Sequence, residues 1–267
     1  MCKECGCGGD PHVHFHNGVA HSHEHTQGQA HTHPHEHPHK HPHEHVSPVT
    51  AETRTVEIQQ KILSRNDEQA ERNRAWLKEH GVVAVNLISS PGTGKTYLLE
   101  RTLEGLRGKV SCAVITGDQR TDNDARRLQG KGAPVRQIET INSCHLDAEQ
   151  VGRLLPEIAG AGVRLLFIEN VGNLVCPAAF DLGETFKIAL LSTTEGEDKP
   201  VKYPTLFSTA PVAVLTKMDL APHLDWDVAA CRSCLRQVRP GVFIFELSAK
   251  TGFGMEAWLD YLTKLVE

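Results

Sequence analysis

The first 45 residues carry most of the side chains that could bind a transition metal. Fourteen of the 17 histidines lie between His12 and His45 in HxH repeats, and Cys2, Cys5 and Cys7 come before them. Imidazole nitrogen is a preferred ligand of nickel, copper and zinc, and thiolate is a softer one. The three thiols have the spacing to hold one ion, either exchangeably or as a structural zinc knuckle. Because a knuckle needs a second Cys/His pair and apolar residues around it, we favour an exchangeable site.

A different chemistry is indicated by a glycine-rich segment that follows an apolar strand. The run VVAVNLIS leads into SSPGTGKT, with Ser89 where the Walker A pattern has its first glycine, and the helical stretch YLLERTLEGL follows. In this context loop amides and the helix N-terminus converge on phosphate oxygens. Lys95 is predicted to neutralise the β- and γ-phosphates, and Thr96 to ligate Mg²⁺. The predicted nucleotide contacts of this segment are Ser90, Gly92, Thr93, Gly94, Lys95, Thr96 and Tyr97.

Carboxylates that follow buried strands are candidates for completing the Mg²⁺ site, since ligands gather at the carboxyl ends of strands in open sheets. Asp118 follows CAVIT and Glu169 follows LLFI. We predict both as Mg²⁺ ligands, because a carboxylate that ends a buried strand needs a partner. Asp124 is the candidate for positioning the attacking water, whereas Asp122 suits a helix cap or a solvated loop equally well. The predicted catalytic set is Lys95, Asp118, Asp124 and Glu169.

Two short motifs at later strand ends indicate which base the nucleotide carries. Thr216-Lys217-Met218-Asp219 resembles the N-K-x-D element of GTPases, and Ser248-Ala249-Lys250 resembles the S-A-K loop that supports guanine O6. The aspartate accepts hydrogen bonds from guanine N1–H and the 2-amino group. Adenine would leave that carboxylate unpaired, at a cost of about 1–3 kcal/mol. We therefore predict GTP, with Lys217, Asp219, Ser248, Ala249 and Lys250 at the base. Thr216 in place of asparagine leaves open only the loop-bracing contact that asparagine usually makes.

Cys144 and His145 form the most informative metal-ligating pair beyond the first 50 residues. The capping-box pattern of Asp147–Gln150 places them in the loop just before a helix. Two such pairs related by a two-fold axis would supply four ligands suited to zinc or nickel. Cys176 could join the same site. For the remaining thiols, Cys112, Cys231 and Cys234, we predict structural roles.

The elements that must position these side chains are those of one doubly wound α/β domain. Near-continuous apolar runs alternate with helical stretches, which is typical of a mostly parallel sheet covered by helices on both faces. We predict about seven strands and a P-loop NTPase architecture. Three regions are expected: a disordered Cys/His-rich metal-binding tail at 1–50, a helix at 51–80 whose pattern starts at Val56, and a GTPase domain at 81–267.

Composition narrows the classes of partner. The formal net charge of −5 gives no signal for nucleic acid or an anionic membrane. No apolar run approaches the roughly 20 residues that cross a bilayer, and the N-terminus lacks an apolar signal core. Cytoplasmic location is the expectation, and there the eight cysteines are thiols or metal ligands in preference to disulfides.

Taken in order, CxxCGC, the histidine segment, SSPGTGKT, GDQRTDNDARR, the Cys-His pair, ENVGNLVCP, TKMD and SAKTG resemble the HypB family of GTPases, which help to insert nickel into nickel–iron hydrogenase. The resemblance spans essentially the whole chain. It implies a metal-chaperone P-loop GTPase of low intrinsic rate that uses GTP/GDP, Mg²⁺, Ni²⁺ and Zn²⁺ and stores nickel at its histidines. It also implies a homodimer promoted by GTP or metal.

The same resemblance assigns metal ligands and partners. Cys2, Cys5 and Cys7 would form a tight metal site, and Cys144, His145 and Cys176 a weaker one at or near the dimer interface. The implied partners are HypA, a small zinc-containing accessory protein, and the precursor of the hydrogenase large subunit.

Three other functions compete with this one. A nickel-storage protein with a secondary nucleotide domain is favoured by a number of histidines beyond what delivery of one ion needs. A urease accessory GTPase also couples GTP to nickel, but a Cys-Pro-His type loop is expected there, and this chain has Asn-Ser-Cys-His and a separate Cys-Pro. A zinc-directed chaperone is the third alternative, because ligand type separates nickel from zinc poorly.

Overall fold

The structure is a computed structural model that describes the backbone of residues 13–16, 19–22 and 48–267, leaving out 119–122, 141–143 and 161. Side chains are described from residue 60 onward, except within those gaps and at 118 and 123. The chain divides into two units, Met1–Ser47 and Pro48–Glu267. In the first, β1 (Val13–His16) and β2 (Val19–Ser22) pair antiparallel. Apart from these two strands and residues 48–50, which are helical, the segment predicted to be disordered, 1–50, lies outside the described residues.

The second unit alternates strands and helices. Its strands are β3 (Val83–Ser89), β4 (Cys112–Asp118), β5 (Val135–Glu139), β6 (Leu165–Gly172), β7 (Phe186–Ser192), β8 (Val212–Thr216) and β9 (Phe243–Glu246). Its helices are α1 (Pro48–Glu79), α2 (Lys95–Leu106), α3 (Asn123–Leu128), α4 (Ala148–Ile158), α5 (Cys176–Ala179), α6 (Lys199–Lys202), α7 (Pro204–Thr209), α8 (Val228–Val238) and α9 (Met255–Lys264), and a 3₁₀ helix spans Met218–His223.

The strands form a seven-stranded sheet in the order β5-β4-β6-β3-β7-β8-β9, and every neighbouring pair is parallel. The central strands β3, β6 and β8 are buried over almost their whole length. Burial on both faces explains why their sequences are near-continuous apolar runs. The prediction of a doubly wound P-loop-type fold is confirmed, and so is the strand number.

Helices cover both faces of the sheet. Side chains of α2 and α9 pack on one face, together with Val85 and Leu87 of β3. Ala84 of the same strand points to the opposite face, into a cluster with α1 and α4. A third cluster holds Ile88 and side chains of α7 and α8. Strand β3 thus runs through the centre of the core and carries the glycine-rich loop at its carboxyl end.

Two boundaries differ from the sequence-based expectation. Helix α1 begins at Pro48 and not near Val56. The apolar periodicity that predicted the helix is missing before Val56, whereas proline suits a first helical turn because its φ is fixed and it has no N–H to satisfy. Glu169 lies inside β6 and does not follow it, because the strand extends to Gly172. Of the helices in the described part of the chain, none has the length and apolar character needed to span a bilayer.

Candidate functional site

The glycine-rich loop closes tightly over the start of α2. Gly92 and Gly94 adopt φ values of 75° and 94°, in the left-handed region that favours glycine. Gly94 caps α2, and no side chain satisfies the first amides of that 12-residue helix. Those amides and the positive end of the helix dipole therefore face an adjoining cavity of about 340 Å³. The loop packs closely on β6, since a Cβ at Gly172 would lie 3.0 Å from Pro91.

Glu195 and Lys199 make hydrogen bonds that brace the glycine-rich loop. The sequence did not indicate either residue as part of the site. Thr93 Oγ1 donates to Glu195 Oε1 over 2.8 Å, and the amide of Ser192 donates to the same oxygen over 3.1 Å. Lys199 Nζ pairs with the other carboxylate oxygen and also donates to Ser90 Oγ over 2.7 Å. Burial alone would raise the pKa of Glu195, but hydrogen bonds from Lys199 and Thr93 outweigh it and hold that pKa below its ordinary value. The only sequence signal was a polar segment after β7.

Lys95 lines the cavity and, like Thr96, contacts Glu169 of β6. Thr96 Oγ1 donates to Glu169 Oε1 over 2.6 Å, and Lys95 Nζ lies 3.3 Å from the same oxygen. Burial raises the pKa of Glu169, and Lys95 opposes this shift only in part. Asp124 lines the cavity. Asp118 ends β4 as expected, but its side chain lies outside the described residues, as does Asp122.

The donor set fits Mg²⁺. Glu169 Oε2 is buried and has no hydrogen-bond partner among the residues that the structure describes. A buried carboxylate oxygen beside a threonine hydroxyl is the hard oxygen environment that this cation prefers. Thr96 and Glu169 could therefore hold it directly or through water.

A second cavity, of about 220 Å³, adjoins the other side of the glycine-rich loop. Ser248 Oγ donates to Asp219 Oδ1 over 2.6 Å, which fixes the carboxylate at the cavity wall. Lys217 has a left-handed φ of 58°, and its Nζ donates to the carbonyl of Gly92 over 2.7 Å. The predicted base contacts all line this cavity, and so does Tyr97, a predicted nucleotide contact of the glycine-rich segment; the base contacts are Lys217, Asp219, Ser248, Ala249 and Lys250.

At the position where the N-K-x-D element has asparagine, the hydroxyl of Thr216 makes the loop-bracing contact. Its Oγ1 donates to the carbonyl of Thr93 over 2.7 Å, and the residue is 3% exposed. The contact joins the end of β8 to the glycine-rich loop. The question left open by the sequence is thereby answered, because threonine makes the contact.

Cys144, His145 and Cys176 lie close together, although His145 and Cys176 are 31 positions apart in the sequence (176 − 145). Their ligand atoms lie within 4.8 Å of one another. Burial raises the pKa of the Cys144 thiol, and the neighbouring Cys176 thiol raises it further. Burial lowers the pKa of His145, with Asp147 partly opposing the shift, and the ring stacks on Phe180 at 3.8 Å. A neutral imidazole beside two thiols could bind a soft or borderline divalent metal.

This three-residue cluster lies between two cavities. Cys144 lines the cavity beside the glycine-rich loop. His145 and Cys176 line a larger, mostly apolar groove of about 970 Å³ beside α1. The capping box of α4 holds the loop in place, since the carboxylate of Asp147 accepts from the amide of Gln150 and the side chain of Gln150 accepts from the amide of Asp147.

The other cysteines of the described residues stand apart from this cluster. Cys112 and Cys231 are buried, and burial raises the pKa of each thiol to about 12, which suits an inert core position. Cys234 is half-buried on α8. Cys2, Cys5 and Cys7, and the side chains of His12–His45, lie outside the described residues.

The parallel sheet and the glycine-rich loop before α2 define a P-loop nucleotide-binding protein. A family model described as CobW/HypB/UreG, nucleotide-binding domain, matches residues 83–246. A hydrogenase maturation factor HypB from Azotobacter chroococcum mcd 1 is 50% identical over 218 residues, which cover 82% of this chain and 72% of that protein. The chain belongs to the HypB family of hydrogenase maturation factors.

Two solved structures of that family are similar to this one. HypB from Archaeoglobus fulgidus gives a TM-score of 0.72 at 38% identity, covering 77% of this chain and 100% of that one. HypB from Helicobacter pylori, solved in complex with nickel, gives a TM-score of 0.71 at 34% identity, covering 76% and 95%. The resemblance drawn from the sequence motifs is confirmed.

Proposed function

We propose that this protein is a GTP-hydrolysing nickel chaperone, which stores nickel at its N-terminal histidines and delivers it during maturation of nickel–iron hydrogenase. The observation that carries the proposal is the position of Cys144, which lines the phosphate cavity and belongs to the Cys144/His145/Cys176 cluster. A nucleotide bound there would lie against a metal ligand. The names of the relatives and the nickel in the Helicobacter pylori structure support the choice of process and of metal.

GTP hydrolysis would use Lys95, the amides of the glycine-rich loop and the carboxylates near them. Lys95 would leave Glu169 for the β- and γ-phosphates, and loop amides would stabilise charge on the transferred group. Asp124 would position the attacking water, and Asp118 would complete the set at the end of β4. When bound, Mg²⁺ would neutralise phosphate charge between Thr96 and Glu169.

Guanine selectivity would come from Asp219. Its carboxylate is held by Ser248, so one oxygen is oriented before the base arrives. Guanine offers two donors to this acceptor and adenine offers none at the same positions. The proposed nucleotide is therefore GTP.

Nickel is the proposed cargo of the Cys144/His145/Cys176 cluster, and zinc is a competing ion at the same ligands. Three ligands leave a position open on a four-coordinate ion, and a second copy of the chain across a two-fold axis would fill it. A homodimer promoted by GTP or metal is thus part of the proposal. The zinc-containing accessory protein HypA and the hydrogenase large-subunit precursor are the proposed partners in transfer.

Replacing Lys95 tests whether nucleotide and stored metal belong to separate modules. Lys95→Ala removes the ammonium that binds phosphate, so GTP hydrolysis should fall by at least ~100-fold. Nickel bound to the full chain should stay at the wild-type stoichiometry, measured by equilibrium dialysis and metal analysis. Simultaneous loss of both activities would contradict the proposal.

Replacing Cys144 tests the metal cluster, and Cys234 offers a matched control. Cys144→Ser removes one ligand and should weaken nickel binding at this cluster by more than ~10-fold, the loss seen even for partners that only orient ligands. Nickel protection of Cys176 against alkylation, resolved by peptide mass spectrometry, reports on this site alone. Cys234→Ser changes a half-buried thiol outside the cluster and should leave protection unchanged. Equal protection of Cys176 in wild type and Cys144→Ser would show that Cys144 is not a ligand.

A further inference from the structure

Asn170 joins three segments of the site through a buried side chain. The residue is 1% exposed and follows Glu169 directly in β6. Its Oδ1 accepts from the amide of Leu146 over 3.3 Å and from its neighbour Val171 over 3.1 Å. Its Nδ2 donates to Asn86 Oδ1 over 3.3 Å. Every described contact of this carboxamide is therefore made inside the protein.

The carboxamide oxygen and the backbone of Asn170 connect parts of the site with different roles. Leu146 is the residue after His145, so the oxygen holds the backbone of the loop that carries two metal ligands. The residue before Asn170 is Glu169, which contacts Lys95 and Thr96. The carboxylate that contacts Lys95 and the carboxamide that holds the Cys144–His145 loop therefore belong to adjacent residues of β6.

The amide end is anchored to a fixed part of the domain. Asn86 lies in the centre of β3 and is fully buried. Its Nδ2 donates to Glu184 Oε1 over 3.2 Å, and the other oxygen of Glu184 accepts from the amide of Leu182 over 2.7 Å. Lys187 pairs with Glu184 at 3.0 Å. A buried and satisfied network of this kind is costly to break, because a lost partner leaves a polar group unpaired.

We propose that Asn170 is a positioning residue that transmits the state of the phosphate cavity to the metal cluster. A displacement of Glu169 when its partner Lys95 engages phosphate moves Asn170, and the bond to Leu146 N moves the Cys144–His145 loop with it. The inference rests on the proposed function, in which nucleotide and metal share this site. It deepens that function by naming the side chain through which they are coupled.

Removing the carboxamide should uncouple the two sites. In the full chain, we would measure the buffered free Ni²⁺ concentration that half-protects Cys144 and Cys176 from alkylation, with GDP and with a non-hydrolysable GTP analogue. In the wild type the two concentrations should differ by about fivefold or more, the usual range of coupling between sites. In Asn170→Ala they should agree within about twofold. The KM for GTP and the unfolding midpoint, measured in parallel, separate this effect from a general loss of structure.

Asn86→Ala is the matched control, because it breaks the same network at equal burial and leaves the contact with Leu146 N in place. It should keep the nucleotide-dependent difference. Asn170→Ser is the second variant, since it stays polar but is too short to reach Leu146; it should behave like Asn170→Ala if the latter does not fold.

Two results would overturn the inference, and they differ in what else they overturn. A wild-type difference that persists in the Asn170 variants removes Asn170 from the coupling and leaves the proposed function standing. Equal half-protection with both nucleotides in the wild type contradicts the coupling itself, and with it the proposed function.

Discussion

At the scale of single residues, the base cavity shows how a side chain is prepared for a ligand by its neighbours. Asp219 lies beside Ser248, whose hydroxyl holds one carboxylate oxygen at 2.6 Å. The Nζ of Lys217 donates a hydrogen bond to the carbonyl of Gly92. Both contacts orient groups that would otherwise lose side-chain entropy on binding.

Changing Asp219 to asparagine should exchange base specificity. The amide that replaces one oxygen cannot accept from the guanine 2-amino group, but it can donate to a carbonyl at that position, as in xanthine. GTP affinity should fall at least ~10-fold, and XTP should bind better than GTP, as measured by competition with a fluorescent nucleotide.

Asp225→Asn is the control for this exchange, because Asp225 is exposed and lies a few residues further along. Its affinity for GTP should match the wild type. Unchanged GTP affinity in Asp219→Asn would show that Asp219 does not contact the base.

Residue types and their spacing predicted much of the candidate site, and the exceptions have a physical reason. Lys95 and Asp219 belong to motifs that are local in sequence, so spacing alone identified them. Glu195 contacts the glycine-rich loop across 102 residues of chain, and no local pattern records such a contact. Thr216 shows a further limit, since only the folded chain reveals that its hydroxyl reaches the carbonyl of Thr93.

At the scale of elements, the packing of α1 against α4 fixes the start of α4, which follows the loop that carries Cys144 and His145. Asn73 of α1 is 2% exposed, and its Nδ2 donates to the carbonyl of Ala148, the first residue of α4, over 2.7 Å. The same group donates to the carbonyl of Leu182 over 2.9 Å. Gly152 of α4 allows this approach, because a Cβ there would lie 2.5 Å from Asn73 Oδ1.

Gly152→Ala should therefore destabilise the domain, against the usual gain of up to about 1 kcal/mol for this change within a helix. Overpacking typically costs about 1–3 kcal/mol, so a lower midpoint of chemical denaturation is expected. In an Asn73→Ala background only the flexible amide end of Gln69, 2.8 Å from the added methyl, has to shift, and the same change should be neutral or stabilising. Stabilisation in the wild-type background would show that the helices separate easily at this point.

Sequence patterns predicted the inner strands well because β3, β6 and β8 are apolar runs buried on both faces. The helix preceding them was placed too late, since its first turns, from Pro48, have no apolar stripe to mark them. Element boundaries without a burial pattern or a capping side chain are the part of a fold that periodicity reports least.

At the scale of the whole molecule, the chain consists of two units with different composition. Met1–Ser47 holds fourteen histidines and three cysteines, and Pro48–Glu267 holds the sheet and both nucleotide cavities. The Cys144/His145/Cys176 cluster belongs to the second unit. The sequence indicated its members as metal ligands, but their meeting depends on how the loop before α4 and the start of α5 fold together.

Deleting residues 1–47 should remove most bound nickel and leave the GTPase unit intact. We expect an unfolding midpoint within about 2 °C of the wild type and unchanged GTP hydrolysis, because the three hydrophobic clusters of the described residues lie within Pro48–Glu267. Calorimetry, phosphate release and metal analysis would check each point. Loss of nucleotide binding would contradict the division into independent units.

Deleting residues 10–46 while leaving Cys2, Cys5 and Cys7 separates storage from delivery in cells. A storage role predicts that hydrogenase maturation falls when nickel is scarce and recovers when nickel is added. Maturation lost at every nickel concentration would mean that the histidine unit takes part in delivery itself.

The contact between Lys95 and Glu169 should also couple the binding of nucleotide to the binding of a divalent cation. A phosphate that draws the ammonium away leaves a carboxylate, 1% exposed, without the positive charge that offsets its burial. A divalent cation that arrives with the phosphate removes this cost. Nucleotide and Mg²⁺ should therefore bind with positive heterotropic cooperativity, so we expect the protein to discriminate against nucleotide that is not already complexed with its cation.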